Sequence, residues 1–264
     1  MKKVFKHLKV GIAVLAMAGL TAPVFADEAK GLDIAKEMKS RAAGWGDSQA
    51  KLVMELKTAR GDSSTRKLRV KNLEVQSDGD KGMTIFDEPK DVRGTVFLSY
   101  SHVDKPDDQW LYLPALKRVK RIASRNKSGP FMGSEFAYED LSSFELDKYA
   151  FTYLRDEAVN GEDAFVIEQI PTDEFSGYTK QIVWVSKEHY RVLKVEFYDR
   201  KKALLKTLMA SEYKQYLNKF WRAHRLEMQN HQTGKSTVLA TDSIEFNTGL
   251  REKDFSKSSM SRVR

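Results

Sequence analysis

Cysteine is absent from the 264 residues. That excludes disulfide staples, a thiol nucleophile and the acylated cysteine of a diacyl lipoprotein, so stability must come from burial. Proline is sparse, with six in the chain. No Pro/Gly/Ser-rich linker or internal repeat divides the sequence, and one domain over residues 27–264 is expected. Long hydrophobic runs are lacking as well. The apolar stretch at residues 10–20 has 11 residues, against the roughly 20 needed to span a bilayer. It follows Lys2, Lys3, Lys6 and Lys9 and precedes TAPVFA, with Val24 and Ala26 at the small-residue positions of a cleavage site. The pattern predicts a secretory signal peptide over residues 1–26, cleaved after Ala26, with a retained anchor as the other reading.

Charge of one sign is also modest once that segment is set aside. The formal net charge is +8, and removing the four N-terminal lysines leaves 238 residues at +4. This argues against nucleic acid as a partner. His102, His189, His224 and His231 are scattered, without HExxH spacing, and no GxSxG elbow is present. Ser99 and Ser101 lie near His102, but closeness in sequence does not make a triad. The expectation is a protein without catalytic activity, metal or cofactor.

What is present is period-two alternation. One helix opens the chain in GLDIAKEMKSRAAGWG, with Leu32, Ala35, Met38 and Ala42 as its apolar face. Strands follow: Leu52, Met54 and Leu56 share one face, and TRKLRVKNLEV changes parity, suggesting a bulge near Asn72. Asn160-Gly161 signals a hairpin, and Leu193, Val195 and Phe197 alternate with Lys194, Glu196 and Tyr198. KALLKTLMASEY fits either a strand or a helix, and its neighbours favour a strand. About ten or eleven strands predict a mainly β fold: a single large antiparallel sheet that twist forces to curve. An N-terminal helix and a short central helix are available to cover its apolar concavity.

The segment QWLYLPALKRVKRIASRNKSGPFMGSEFAYEDL, residues 109–141, combines aromatics, a basic ladder, a glycine-punctuated loop and an acidic-aromatic end. WLYLPALKRVKRI followed by GSEFAYEDL resembles the outer-membrane lipoprotein-sorting protein family of Gram-negative bacteria, related in fold to the periplasmic carriers LolA and LolB. The resemblance extends along the mature chain to SIEFNTGLREKDFS. It implies a half-open β-barrel capped by helices, a periplasmic location, and a hydrophobic cavity for a lipid, a lipoprotein acyl chain or another apolar ligand. It further implies handover to or from a membrane protein, an inner-membrane transporter of the RND/MMPL type or an outer-membrane acceptor. A periplasmic sensor or exporter accessory subunit of the same fold is the alternative, and a monomer is expected.

On that frame Met54, Trp110, Tyr112, Phe131, Met132, Phe136, Tyr138, Trp184 and Phe197 are the cavity and lid candidates. Trp110 and Tyr112 share a strand face, as ordinary core or as cavity lining. The KRVKR ladder is either a solvated edge strand or a docking surface for an anionic partner, with Arg118, Lys120 and Arg121 as its candidates. GPFMGSEFAYEDL reads as a lid hinged at Gly129 and Gly133, its helix N-capped by Ser134, or as a static plug. In the lid reading Glu139 and Asp140 face outward and pair with Arg118 or Arg121 as a surface latch.

Overall fold

Asp27 starts the first helix for a local reason: its carboxylate accepts from the Lys30 amide at 2.9 Å, satisfying a free N–H of the first turn. Helix α1 (Glu28–Ala42) carries Lys39 and Arg41 in its last turn, where positive charge suits the helix dipole. It buries Gly31, Ile34, Ala35 and Met38. The predicted Leu32 and Ala42 are exposed instead. Gly31 sets the register, because a Cβ there would lie 2.6 Å from the Tyr153 amide nitrogen, so the helix backbone rests directly on a strand. The computed structural model describes residues 27–263, and the expected signal peptide lies outside them.

Thirteen strands follow: β1 (Asp47–Lys57), β2 (Ser63–Leu73), β3 (Lys81–Glu88), β4 (Val96–Tyr100), β5 (Asp108–Leu113), β6 (Arg118–Ile122), β7 (Tyr149–Val159), β8 (Glu162–Pro171), β9 (Tyr178–Ser186), β10 (Val192–Asp199), β11 (Leu204–Tyr216), β12 (Phe220–Asn230) and β13 (Ser236–Phe246). They form one antiparallel sheet in the order β6-β5-β4-β3-β2-β1-β13-β12-β11-β10-β9-β8-β7. Every neighbour is a sequence neighbour except β1 and β13. The sheet is open, and its two edges, β6 and β7, are consecutive in the chain. Residues 123–148 therefore run from one edge to the other as a strap.

That strap and the apolar face explain the curl. Ile34, Met54, Phe86, Phe97, Leu111, Phe131, Phe136, Phe151, Ile167, Val195, Phe197, Met228 and Leu239 share one buried cluster, drawn from α1, the strap and both halves of the sheet. Burying that face at about 25 cal/mol per Å² favours wrapping the sheet around it. Two smaller clusters lie outside this one. Met83, Ile85, Val96, Leu98 and Trp110 are covered by Phe255 and by Met260 of the short C-terminal helix α2 (Lys257–Met260). Ala164, Val166, Ile182, Trp184 and Leu193 form the other.

Four local expectations are corrected. The parity change in β2 needs no bulge at Asn72: β2 pairs with β1 without interruption, and Leu73 packs with the cluster under Phe255 while Leu68 faces the main core. The irregularity in β2 lies at Lys67/Leu68 against β3. Leu193 does not share the Val195 and Phe197 face, because a register shift between Val192 and Lys194 turns it to the opposite side. The central helix is a series of short 3-10 turns, of which Tyr138–Leu141 is the longest at 4 residues. Ala137 precedes it, with the Asp140 carboxylate accepting from the Ala137 amide at 2.7 Å. Ser134 is no cap: its hydroxyl donates to the Phe131 carbonyl at 2.7 Å. The Asn160-Gly161 hairpin has the left-handed pair a type I′ turn requires, with φ of 51° and 83°.

Candidate functional site

A cavity of about 1170 Å³ opens between the C-terminal end of α1, the strap and the concave face of the sheet. It exceeds the usual range of about 300–1,000 Å³ for small-molecule pockets. Met38, Val183, Val192 and Val195 supply aliphatic wall, and Trp45, Phe144, Tyr190 and Trp221 supply aromatic wall. These residues come from α1, the α1–β1 link, the strap, β9, β10 and β12, together with the turn between β9 and β10. The sheet's curl brings them together.

Charged groups at this site are held in place. Lys39 pairs with Glu145 at 2.8 Å and donates to the Phe144 carbonyl at 2.8 Å, tying α1 to the strap. Arg191 pairs with Glu162 at 3.0 Å and stacks its guanidinium on Tyr213 at 4.3 Å and Trp221 at 4.7 Å. Arg41 lies over Tyr190 at 4.4 Å. These cation–π contacts fix ring planes along the wall. A second, smaller cavity of about 250 Å³, lined by Ser48, Asn72, Ser99, Ser101, Ser142 and Ser143 among others, adjoins the first. Trp45, Asp80, Ser143 and Arg222 line both.

Asp80 sits at that junction. Burial pushes its pKa up from 3.8 to about 6; the Val75 amide and Lys39 oppose the rise, and Glu145 and Glu74 add to it. A folded-state value above the ordinary one means that this group's contribution to stability is complete below about pH 4 and is lost as pH rises through about 6. The difference is at most about 3 kcal/mol, since each pKa unit is worth about 1.4 kcal/mol. Asp78 runs the other way, lowered to about 2 chiefly by its hydrogen bond to His102, so its contribution fades only in stronger acid. Thermal melts of Asp80→Asn and the parent chain between pH 4 and 7 are expected to diverge, the parent losing stability with rising pH and the variant losing less. Parallel curves would show that Asp80 is not enclosed.

None of the nine cavity and lid candidates named from the sequence lines the large cavity. Met54, Phe136 and Phe197 are buried in the main core, the last against Tyr178 with ring centroids 4.9 Å apart. Phe131 sits at 1% exposure between Phe86, Phe97 and Tyr138 rings at 5.7, 5.2 and 5.6 Å. Met132, at φ 51°, presents its carbonyl to Arg66 at 2.6 Å. Trp110 and Tyr112 turn away from the main core to pack with the cluster under Phe255, because Leu111 and Leu113 take the inner face. Trp184 likewise belongs to an outer cluster, with Lys194 over its ring at 4.1 Å.

The surface latch is also overturned. Asp140 pairs with Lys206 at 2.6 Å, and the two side chains are 7% and 4% exposed. Glu139 accepts from the Ser176 hydroxyl and the Gly177 amide, both at 2.8 Å. Arg121 pairs instead with Asp108 at 2.6 Å, and Arg118 and Lys120 are exposed on edge strand β6, which among the described residues pairs only with β5. The cavity's own residues had a faint signal in the sequence: an aromatic beside an arginine near a turn, in HYR at 189–191 and FWR at 220–222.

Comparison with known proteins agrees with this architecture. A family model described as "Uncharacterized protein" matches residues 78–262. A Vibrio parahaemolyticus protein described as an outer membrane lipoprotein-sorting protein domain is 66% identical with a TM-score of 0.88, over 89% of this chain and 100% of that one. A DUF1329 family protein from Desulfovibrio piger is 28% identical with a TM-score of 0.83, over 89% and 99%. A LolA superfamily protein from Nitrosomonas europaea, 21% identical with a TM-score of 0.69 over 86% and 98%, shares the fold. No curated protein matched. The chain is a member of the DUF1329 family, and it shares its fold with the Nitrosomonas LolA superfamily protein.

Proposed function

We propose that this protein is a non-catalytic periplasmic carrier that holds a lipid, a lipoprotein acyl chain or another apolar ligand and passes it to or from a membrane protein. The observation that carries this reading is the cavity of about 1170 Å³ left on the concave face of the sheet. A protein that used this fold only to recognise a partner would gain stability by filling that space. The Vibrio relative's description as a lipoprotein-sorting domain supports the same reading.

The energetics suit reversible carriage. Each methylene removed from water contributes about 0.8 kcal/mol, so ten contribute about 8 kcal/mol before association costs. That corresponds to roughly micromolar affinity or weaker, tight enough to hold and weak enough to hand over. Strand β6 is the proposed docking edge, with Arg118 and Lys120 exposed, Val119 37% exposed and unpaired backbone groups on its free side. Its partner would be the acidic face of an RND/MMPL-type transporter or an outer-membrane acceptor.

Native mass spectrometry of gently purified protein tests the reading, with displacement of a fluorescent fatty acid as the second measurement. Copurified lipid and saturable binding are expected. An empty protein that also fails to bind the probe would end the carrier proposal.

A further inference from the structure

Arg222 is the one cavity-lining arginine whose guanidinium lacks a carboxylate partner among the described residues. Arg41 pairs with Glu37 and Arg191 with Glu162. Among the described residues Arg222 makes one hydrogen bond, from Nη1 to the adjacent Trp221 carbonyl at 3.1 Å, and its Cζ lies 5.6 Å and 5.7 Å from the ring centres of Phe220 and Phe246. A guanidinium has five N–H donors in a planar fork, so most of this one's capacity is unspent. Burial is the largest influence on its pKa and lowers it, while Glu74 and Asp80 raise it from a distance. Those carboxylates are engaged elsewhere. Glu74 accepts from the Gly44 and Gly46 amides at 2.6 and 2.8 Å, and Asp80 from the Val75 amide at 3.2 Å.

Two hydroxyls that line the smaller cavity beside Arg222 have a proton to give. Ser99 is 2% exposed, and its hydroxyl has no partner among the described residues. Ser101 accepts from the Ser143 amide at 2.8 Å, which leaves its O–H to donate. A buried polar group without a partner is unfavourable, and a bound acceptor would relieve it. Lys219, which lines the large cavity, donates to the Ala43 carbonyl at 2.8 Å and has no carboxylate partner among the described residues.

We infer that the smaller cavity is an anion subsite, and that the ligand of the large cavity is an anionic amphiphile whose carboxylate or phosphate headgroup is held by Arg222 with Ser99 while its apolar part lies against Trp45, Tyr190 and Trp221. This inference rests on the carrier reading and adds the headgroup charge to it. Arg222 lines both cavities, so one ligand reaches from the serine-rich space into the apolar one. Asp80 is the nearby charge most easily neutralised, its pKa being pushed up to about 6.

The test is a matched dodecyl series at pH 5.5, where Asp80 is mainly protonated: dodecanoate, dodecyl phosphate and neutral dodecanol, with inorganic phosphate alongside, titrated into the full chain and into Arg222→Gln. The parent is expected to bind the two anions about 10- to 100-fold tighter than dodecanol, the range for a charge-assisted bidentate contact. Arg222→Gln is expected to erase that preference and leave dodecanol affinity within about 2-fold. Ser99→Ala, which removes one donor and no charge, is expected to reduce the preference several-fold, and it keeps the test open should the arginine variant misfold. Equal binding of all three by the parent, or a preference that survives in both variants, overturns the anion subsite and leaves the carrier reading standing. Inorganic phosphate binding as tightly as dodecyl phosphate overturns the headgroup assignment in favour of a free ion. Failure of every dodecyl compound to bind overturns the carrier reading, and the headgroup assignment falls with it.

Discussion

Replacing Lys206 with alanine is expected to destabilise the protein by about 3–5 kcal/mol, the range for removing one partner of a buried ion pair. Lys206 projects inward from β11 and spends its ammonium on Asp140 at 2.6 Å and on the Glu135 carbonyl at 2.8 Å. Without it, Asp140 keeps the Tyr178 hydroxyl at 2.8 Å and the Ala137 amide at 2.7 Å, two donors for an enclosed carboxylate. Tyr178 would not help by ionising, since burial and then the neighbouring Asp140 and Glu139 hold its hydroxyl protonated. For a chain of this size the melting temperature should fall by about 10 °C. The double variant Lys206→Met with Asp140→Leu removes both charges and should recover most of the loss, because desolvation offsets much of the attraction in a buried pair. A single-variant loss under about 1 kcal/mol, the usual value for exposed pairs, would mean that the pair is solvated and the strap is not seated as described.

Phe131→Ala is expected to cost about 3–5 kcal/mol as well, and it discriminates between a lid and a plug. Phe131 is 1% exposed, and three aromatic rings surround it within 6 Å. It anchors the middle of the strap to β3 and β4, whose Phe86 and Phe97 supply two of those rings. Removing the ring leaves a void that its stiff neighbours cannot close. Hydrogen exchange should then rise across residues 123–148, since the strap loses its main apolar anchor. A strap that works as a mobile lid would already spend part of its time undocked, and the variant would then lose little stability and gain little exchange. The buried pair and the aromatic cluster both favour the plug.

The strands were legible because alternation is a property of neighbouring residues. Met54 with Leu52 and Leu56, or Val195 with Phe197, declare a buried face without reference to anything distant. KALLKTLMASEY was ambiguous for the same reason: its apolar spacing satisfies both periods, and only pairing with β10 on one side and β12 on the other makes it a strand. Lys206 within it reads as a solvent residue until Asp140, 66 positions away in sequence, is seen beside it. The Trp110 stripe misled because this sheet buries patches of both faces, and alternation does not say which face is concave.

From the sequence by itself came the curved, mainly β sheet, its opening helix and the family resemblance. Each rests on a local pattern or on residues close together in the chain. The cavity was decided by the tertiary structure alone. Trp45, Asp80, Tyr190 and Arg222 come from four separate parts of the chain, and they meet only because a twisted sheet curls until the strap can join its edges. Where that curl leaves space, and which side chains are left there without partners, depends on how the whole apolar face closes.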